Sequence, residues 1–201
     1  MDNSQKIQYT IDRFAAANIS ITADMADKLV RLCDFMVEYN EHVNLTSITE
    51  FEEVVDKHFV DSVLPFFMVE IPEGSSFIDV GTGAGFPALP LLIVRPDLKG
   101  TLCDSLNKRC VYLEKACELV GIHAEIIHAR SEELGRKRRE CFDFATARAV
   151  AAMLVLAEYC VPFVKKGGRF IALKSVNEDI MAAASAVKKL GGEIADRKSV
   201  V

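Results

Sequence analysis

Hydrophobic positions in the first 70 residues recur every three or four residues, which is the period of an amphipathic helix. Ile7, Ile11 and Phe14 share one face of the first predicted helix. A second helix is predicted behind Thr22, a suitable N-cap, and its apolar stripe consists of Met25, Leu29, Leu32, Cys33 and Met36. A third is expected to open with a capping box over residues 49–52. The pattern therefore predicts a helical N-terminal segment, residues 1–70, packed on the core.

From residue 71 onward, short apolar stretches alternate with helical periodicity, which predicts an α/β domain over residues 71–201. Alternating elements of this kind form right-handed crossovers and a mainly parallel, Rossmann-like sheet with helices on both faces. The predicted strands lie near 76–80, 100–104, 124–128, 142–147 and 169–174, and the predicted helices near 86–95, 106–120, 131–139, 151–163 and 178–190.

Glycine pairs and the chain end add detail to this prediction. We expect Gly167-Gly168 to form a turn before the fifth strand and Gly191-Gly192 to end the last helix. A further strand is expected to begin near 192–194, shortly before the sequence stops at Val201. Sheets of this type often have a sixth and a seventh strand, so the C-terminal strands are expected to be truncated.

Composition and charge narrow the classes of function. Half of the 201 residues are hydrophobic and 26% are charged, which is typical of one globular protein. The net charge of −5 disfavours a free-standing nucleic-acid binder. An RNA partner would therefore meet local basic patches, for which the candidates are Lys108-Arg109, residues 136–139, Lys165-Lys166 with Arg169, and Lys174. No apolar run approaches the ~20 residues of a membrane span. The six cysteines form no CxxC pair and the histidines show no metal-ligand spacing, so reduced thiols and no metal are expected.

The stretch DVGTGAG, residues 79–85, follows the first predicted strand and places three glycines at alternate positions. The dinucleotide pattern GxGxxG fails because Phe86 is the sixth residue from Gly81, and no Gly-Lys-Ser/Thr follows for a triphosphate. The remaining pattern resembles the first motif of class I S-adenosylmethionine-dependent methyltransferases, with Gly81, Gly83 and Gly85 allowing close approach of the backbone. We also expect the helix opening at Gly85-Phe86-Pro87 to offer free N–H groups to an anion. A tight structural turn without a ligand is the competing interpretation.

Two further predicted strand ends carry candidate cofactor contacts. Asp104 ends the second strand, about 20 residues past the glycines, where an acid can accept the hydroxyls of a ribose. NAD enzymes place an acid similarly, so Asp104 indicates a ribose rather than one cofactor. Ser131 and Glu132 follow the third strand, where loops commonly border an adenine, although these residues equally suit an ordinary helix start.

The fourth predicted strand ends at Arg148, where methyltransferases usually face the acceptor atom. The sequence has neither an Asn/Asp-Pro-Pro-aromatic motif nor a Pro-Cys pair, which DNA amino- and cytosine C5-methylating enzymes use. Arg148 can stack or grip a phosphate, and both a cofactor role and an RNA role are open to it. Guanine N7 carries a lone pair and no proton, so its methylation needs no general base. Proximity and orientation can then supply up to about 7–11 kcal/mol, and no catalytic residue is nominated.

Several blocks, in order along the chain, together resemble the ribosomal RNA small-subunit methyltransferase G family, also called glucose-inhibited division protein B. They are Asn44-Leu45-Thr46, residues 57–62, 79–87, 104–109 and 129–133, Ala147-Arg148-Ala149, and residues 168–174. Ala88 stands where the family commonly has glycine, and Ala147 where it commonly has serine. The chain also lacks the basic segment, with Thr-Pro and Lys-Tyr-Pro-Arg, with which the family continues.

The resemblance implies a bacterial cytosolic enzyme that transfers a methyl group from S-adenosylmethionine to guanine N7 in the 530 loop of 16S ribosomal RNA. Carried over by position, the cofactor contacts are Gly81, Phe86, Ser131, Glu132 and Arg148. The expected partner is 16S ribosomal RNA or the small-subunit particle, and a monomer is favoured. Two other hypotheses stay open: a methyltransferase acting on a small molecule or protein, and a non-catalytic ribosome-binding module with this fold.

A separate constellation lies in the N-terminal segment. His58, Asp61 and Ser62 are spaced i, i+3 and i+4, so they would share one face of an α-helix. They could pin this segment over the cofactor mouth, or form an internal hydrogen-bonded set that holds it on the sheet. We favour the second role.

Overall fold

The computed structural model describes residues 1–148, 151–174 and 183–195. Five helical pieces precede the sheet, and strands and helices then alternate. The elements are α1 Asn3–Ala16, α2 Ala23–Asn40, α3 Phe51–Val54, a π-helix Val55–Val60, α4 Asp61–Phe67, β1 Ser76–Val80, α5 Ala88–Val94, β2 Lys99–Asp104, α6 Asn107–Val120, β3 Ala124–His128, α7 Ser131–Lys137, β4 Phe142–Arg148, α8 Met153–Cys160, a 3₁₀ turn Val161–Phe163, β5 Val164–Leu173 and α9 Ala184–Lys189.

The five strands form one parallel sheet in the order β3-β2-β1-β4-β5. Strand β1 pairs with β2 on one side and with β4 on the other, so the direction of winding reverses between β1 and β4. Ligands of such sheets bind at the carboxyl ends of the strands beside this reversal. The predicted α/β class is confirmed, and the glycine turn after β1 lies at the expected place.

Two hydrophobic clusters cover the two faces of the sheet. One joins the N-terminal helices, α5 and α6 to the sheet, with Phe14, Phe59 and Phe77 fully buried in it. The other packs α7 and α8 against the opposite face, around Ile78 and Leu156. The N-terminal segment therefore shares a core with one face of the sheet, as an apolar helical stripe requires. The domain boundary at residue 70 stays a prediction.

Helix N-termini differ from prediction in two places. The predicted capping box is wrong: α3 begins at Phe51 behind Glu50, which makes no side-chain cap hydrogen bond. Helix α5 begins at Ala88 with Pro87 as its N-cap, two residues later than predicted, because the N–H groups of Gly85 and Phe86 both turn back to the Thr82 carbonyl.

The C-terminal half differs in the turn before β5. Gly167 and Gly168 do not precede the strand but lie inside it, where the pairing with β4 shifts register between Phe142 and Phe144. Gly167 has a φ of +80°, and a side chain on Gly168 would meet the Asp143 carbonyl oxygen at 2.5 Å. A β-bulge thus takes the place of the predicted turn.

The last predicted elements are described only in part. Helix α9 is shorter than the predicted helix over 178–190, of which residues 178–182 lie outside the described ones. Residues 192–195 carry no strand, and the remainder of the strand predicted there also lies outside the described residues. The described part of the chain contains no helix with the length and apolar character of a membrane span.

The helix that was predicted to begin near residue 50 is continuous but irregular. It runs from α3 through the π-helix Val55–Val60 into α4. A π segment widens the turn, and such segments occur often at functional sites. Here it contains His58, so the α-helical spacing assumed for His58, Asp61 and Ser62 does not hold.

Candidate active site

The glycine turn after β1 adopts a left-handed backbone at all three of its glycines. The φ angles are +68° at Gly81, +60° at Gly83 and +88° at Gly85. Residues with a Cβ rarely adopt this conformation, which accounts for glycine at each position.

Most N–H groups of this turn bind within the protein. Those of Gly81 and Thr82 donate to the Cys103 carbonyl at 2.8 and 3.2 Å, and that of Gly83 donates to Asp104 Oδ2 at 2.9 Å. Those of Gly85 and Phe86 donate to the Thr82 carbonyl. The expected row of free N–H groups for an anion is therefore wrong. The turn does not form the anion-binding concavity that a phosphate requires.

Asp79, at the end of β1, is completely buried beside this turn. Its Oδ2 accepts a hydrogen bond from Thr82 Oγ1 at 2.7 Å, whereas Oδ1 has no partner among the described residues. Burial raises the pKa of Asp79 to about 7, against the lowering effects of the Thr82 hydroxyl, the Ala88 N–H and Arg148. The Ala88 N–H thus acts on this carboxyl group without forming a well-aligned hydrogen bond to Oδ1, and a buried carboxyl oxygen so poorly satisfied at the ligand edge of the sheet marks a polar binding position.

Asp104, at the end of β2, is also buried but is better satisfied. Its Oδ2 accepts from the Gly83 N–H and lies 3.5 Å from Arg109 Nη1, and its Oδ1 accepts from the Leu106 N–H at 2.9 Å. Oδ1 keeps a second acceptor site, and the contact from Arg109 to Oδ2 is long, so ribose hydroxyls can still bind. Asp104 also holds the glycine turn in place.

Ser131 and Glu132 open α7 at the same edge of the sheet, beyond β3. Ser131 Oγ donates to Glu132 Oε2 at 3.1 Å. Ala129, two residues before Ser131, donates its N–H to the Asp104 carbonyl at 3.1 Å, which ties the start of α7 to the end of β2.

Arg148 ends β4 on the other side of β1, and its guanidinium lies over the Phe86 ring, 5.1 Å from the ring centre. Nη1 donates to the Lys57 carbonyl at 3.1 Å and Nη2 to His58 Nδ1 at 2.9 Å. Burial lowers the pKa of Arg148, while Asp79 and Asp61 act to raise it. Arg148 thus joins the N-terminal segment to the glycine turn.

His58, Asp61 and Ser62 do not form the internal hydrogen-bonded set that we favoured. No hydrogen bond joins them to one another among the described residues, and Ser62 Oγ has no partner there. His58 instead binds Thr46 and Arg148 and stacks on Phe86, with ring centres 4.5 Å apart. Its contacts place it at the glycine turn.

The predicted residues therefore gather at one edge of the sheet. Gly83 and Asp104 touch, Phe86 and Arg148 touch, and Ser131 with Glu132 lies one strand farther out. Sequence reasoning missed Thr82 as the partner of Asp79. The signal was a hydroxyl residue three positions after the acid. In the described ranges no group of three or more His, Cys, Asp or Glu side chains is arranged to hold a metal ion.

The parallel sheet, with the alternate-glycine turn after β1 and the acids near the ends of β1 and β2, is a class I methyltransferase fold. Two solved structures share the fold: an S-adenosylmethionine-dependent O-methyltransferase from Thermotoga maritima (TM-score 0.53, 17% identity, 77% of this chain and 55% of that one) and precorrin-6y C5,15-methyltransferase from Geobacter metallireducens (TM-score 0.54, 10% identity, 74% and 75%).

Sequence similarity identifies the family. Residues 25–199 match the family described as "GidB: rRNA small subunit methyltransferase G", and the chain belongs to it. The chain is 46% identical over 181 residues to ribosomal RNA small subunit methyltransferase G of Clostridium beijerinckii, covering 88% of this chain and 76% of that protein. It is 50% identical over 166 residues to the protein of the same name from Lactobacillus delbrueckii subsp. bulgaricus, covering 79% and 70%. The predicted family is confirmed, and membership implies use of S-adenosylmethionine.

Proposed function

We propose that this chain transfers a methyl group from S-adenosylmethionine to N7 of a guanine in the 530 loop of 16S ribosomal RNA. Family membership and the names of its relatives support the reaction and the ribosomal substrate. The proposal that the cofactor is S-adenosylmethionine depends on one observation, the chemistry of the glycine turn. Two buried carboxyl groups lie beside this turn, and most of its N–H groups donate to acceptors within the protein. Such a turn suits a sulfonium cation with ribose hydroxyls rather than a phosphate.

The cofactor fits the residues present. A Cβ on Gly83 would find only the Gly81 carbonyl oxygen, at 3.9 Å, so the space beside Gly83 is open to a ligand. In this proposal Gly81, Gly83 and Gly85 shape the turn, and Asp104 accepts the ribose hydroxyls. Ser131 and Glu132 border the adenine.

Arg148 ends β4, on the opposite side of β1 from β2 and Asp104, and together with Phe86, which it contacts, it would bind the cofactor or the RNA. The bound cofactor supplies an electrophilic methyl group. The chain's own contribution is to hold guanine N7 in line with it, since N7 has no proton to remove. No general base is therefore needed. His58 is also not free to act as one, because its two ring nitrogens contact Thr46 and Arg148. Proximity and orientation account for rate enhancements of this kind.

The test uses isotope-labelled S-adenosylmethionine with small-subunit particles, or with naked 16S RNA, from a strain that lacks the modification. We expect label in 7-methylguanosine within the 530 loop, located by nuclease digestion and mass spectrometry. A variant with Asp104→Ala serves as the control and should label neither substrate. Cofactor binding without labelling of either RNA would contradict the proposed acceptor and favour a small-molecule or protein substrate. Absence of cofactor binding would contradict the enzyme reaction itself.

A further inference from the structure

His58 lies at a junction between the N-terminal segment and the glycine turn. The residue is only 7% exposed. Its Nε2 lies 2.9 Å from Thr46 Oγ1, its Nδ1 lies 2.9 Å from Arg148 Nη2, and its ring stacks on Phe86 with 26° between the planes. Three residues from separate parts of the chain, Thr46, Phe86 and Arg148, thus meet around one imidazole.

Two groups compete for Nδ1 of His58: Arg148 Nη2 lies 2.9 Å away and the Lys57 carbonyl oxygen 3.2 Å away. A guanidinium only donates hydrogen bonds, so the closer contact, with Arg148, requires an unprotonated Nδ1, and the ring proton is then assigned to Nε2, which donates to Thr46 Oγ1. Burial, together with the charge of Arg148, lowers the pKa of His58 to about 4. His58 is therefore neutral near pH 7 and accepts from Arg148 without repelling it.

The Thr46 side of this junction is itself held from behind. Asn40, the last residue of α2, accepts from the Leu45 and Thr46 N–H groups at 2.7 and 3.1 Å, and its amide donates to the Thr46 carbonyl at 3.0 Å. These bonds place the Thr46 hydroxyl for His58. The π-helix, on the opposite side, brings the Lys57 carbonyl and the His58 ring to the same guanidinium.

We infer that His58 is a positioning residue: held by Thr46, it fixes the Arg148 guanidinium over Phe86 so that Arg148 can bind an anionic group of the ligand. The inference rests on the proposed function, because only that proposal gives Arg148 a contact with the cofactor or the RNA. Lys57 and His58 engage two of the five N–H donors of Arg148, and in this inference the anionic group of the ligand binds donors that those two residues do not use. A planar guanidinium with one edge held binds a carboxylate or phosphate in one orientation.

Two amide substitutions test separately the hydrogen bonds of His58 to Arg148 and to Thr46. His58→Asn puts an acceptor near the position of Nδ1, whereas His58→Gln puts a donor near the position of Nε2 and removes the acceptor for Arg148. The anion has two sources, the carboxylate of the cofactor and the phosphates of RNA. Calorimetry with S-adenosylmethionine gives the cofactor Kd, and methylation kinetics on small-subunit particles give KM and kcat. His42→Asn, an exposed histidine in the same segment, is the matched control.

We expect His58→Gln to raise either the cofactor Kd or the KM for the particle about tenfold, the affected constant identifying the anion, with kcat changed less. His58→Asn should retain most of the affinity, Thr46→Val should lie between the two, and His42→Asn should match the parent. Addition of His58→Gln to Arg148→Ala should cause no further loss, since a positioning residue acts through Arg148. Parental Kd and KM in His58→Gln, or equal losses in both histidine variants, would overturn the inference.

A second readout keeps this inference separate from the proposed function. Nitrogen-15 NMR of the protein without ligand should show His58 protonated at Nε2 near neutral pH, and the Arg148 N–H signals should broaden in His58→Gln but not in His42→Asn. If the parent methylates no RNA while these signals behave as expected, the proposed function fails and the positioning role stands. An Nδ1-protonated His58, or Arg148 signals unchanged in His58→Gln, would defeat the positioning role whatever the activity.

Discussion

Gly83 and Gly85 lie two residues apart in one turn, and both have a left-handed backbone. They differ in the space around the position that a Cβ atom would occupy. A Cβ on Gly85 would overlap the Leu89 side chain, whose Cγ is 2.5 Å away, and would lie 3.1 Å from Leu113 Cδ2. A Cβ on Gly83 would find only a carbonyl oxygen at 3.9 Å. Glycine is therefore needed at Gly85 because the core is closely packed there, whereas at Gly83 it leaves open space that a ligand can occupy.

The largest expected effect is on the core side of the turn. Gly85→Ala adds a methyl group that Leu89 and Leu113 must move to accept, and it also strains a φ of +88°. Overpacking and backbone strain together predict a loss of about 2–5 kcal/mol in the free energy of unfolding, measured by urea denaturation. A loss below about 1 kcal/mol would show that Gly85 is not a packing glycine.

A smaller effect on stability is expected on the ligand side. Gly83→Ala should cost about 1–2 kcal/mol, the strain of a left-handed alanine, and should weaken S-adenosylmethionine binding at least tenfold, measured by calorimetry. Gly121→Ala is the control for strain alone, because Gly121 has a φ of +65° with nothing within 4 Å. If Gly83→Ala binds the cofactor as tightly as Gly121→Ala does, the open side of the turn is not the cofactor site.

The two acids next to the turn repeat this contrast. Asp104 accepts two backbone N–H bonds and helps to hold the turn, whereas Asp79 is more deeply buried and its Oδ1 accepts no well-aligned hydrogen bond from the described residues. Asp104 therefore stabilises the turn. Asp79 is buried with few hydrogen bonds, so its ionised form lowers the free energy of unfolding.

The third expected effect is a change in pH dependence. The pKa of Asp79 is raised to about 7 from an ordinary value of 3.8, so ionisation favours the unfolded state and stability falls as pH rises from about 4 to 7. Asp79→Asn removes this titration while keeping an oxygen for Thr82. The free energy of unfolding of the variant relative to the parent should therefore rise across that range and level off above pH 7. Parallel pH profiles would show that Asp79 does not titrate there.

Much of the fold could be predicted because it depends on local patterns. Alternating apolar stretches and helical stripes predicted five strands and the parallel sheet, and the positive φ values of Gly81, Gly83 and Gly85 match the spacing of glycines. The errors have two causes. The bulge at Gly167 and Gly168 depends on the register with β4, which is remote in sequence. The start of α5 depends on local bonds from Gly85 and Phe86 to the Thr82 carbonyl, which hydrophobic periodicity does not indicate.

The sequence by itself determined the order of elements, the glycine turn and the family, because periodicity, spacing and similarity are properties of the chain alone. Only the tertiary structure decided how the turn is used. In the structure, most N–H groups of the turn donate within the protein, and Asp79 is buried with one oxygen that accepts no well-aligned hydrogen bond from the described residues. A π-helix contains His58, whose imidazole contacts Arg148, 90 residues away in sequence. The physical reason is that hydrogen-bond partners and solvation depend on distances in space, which local sequence patterns do not contain.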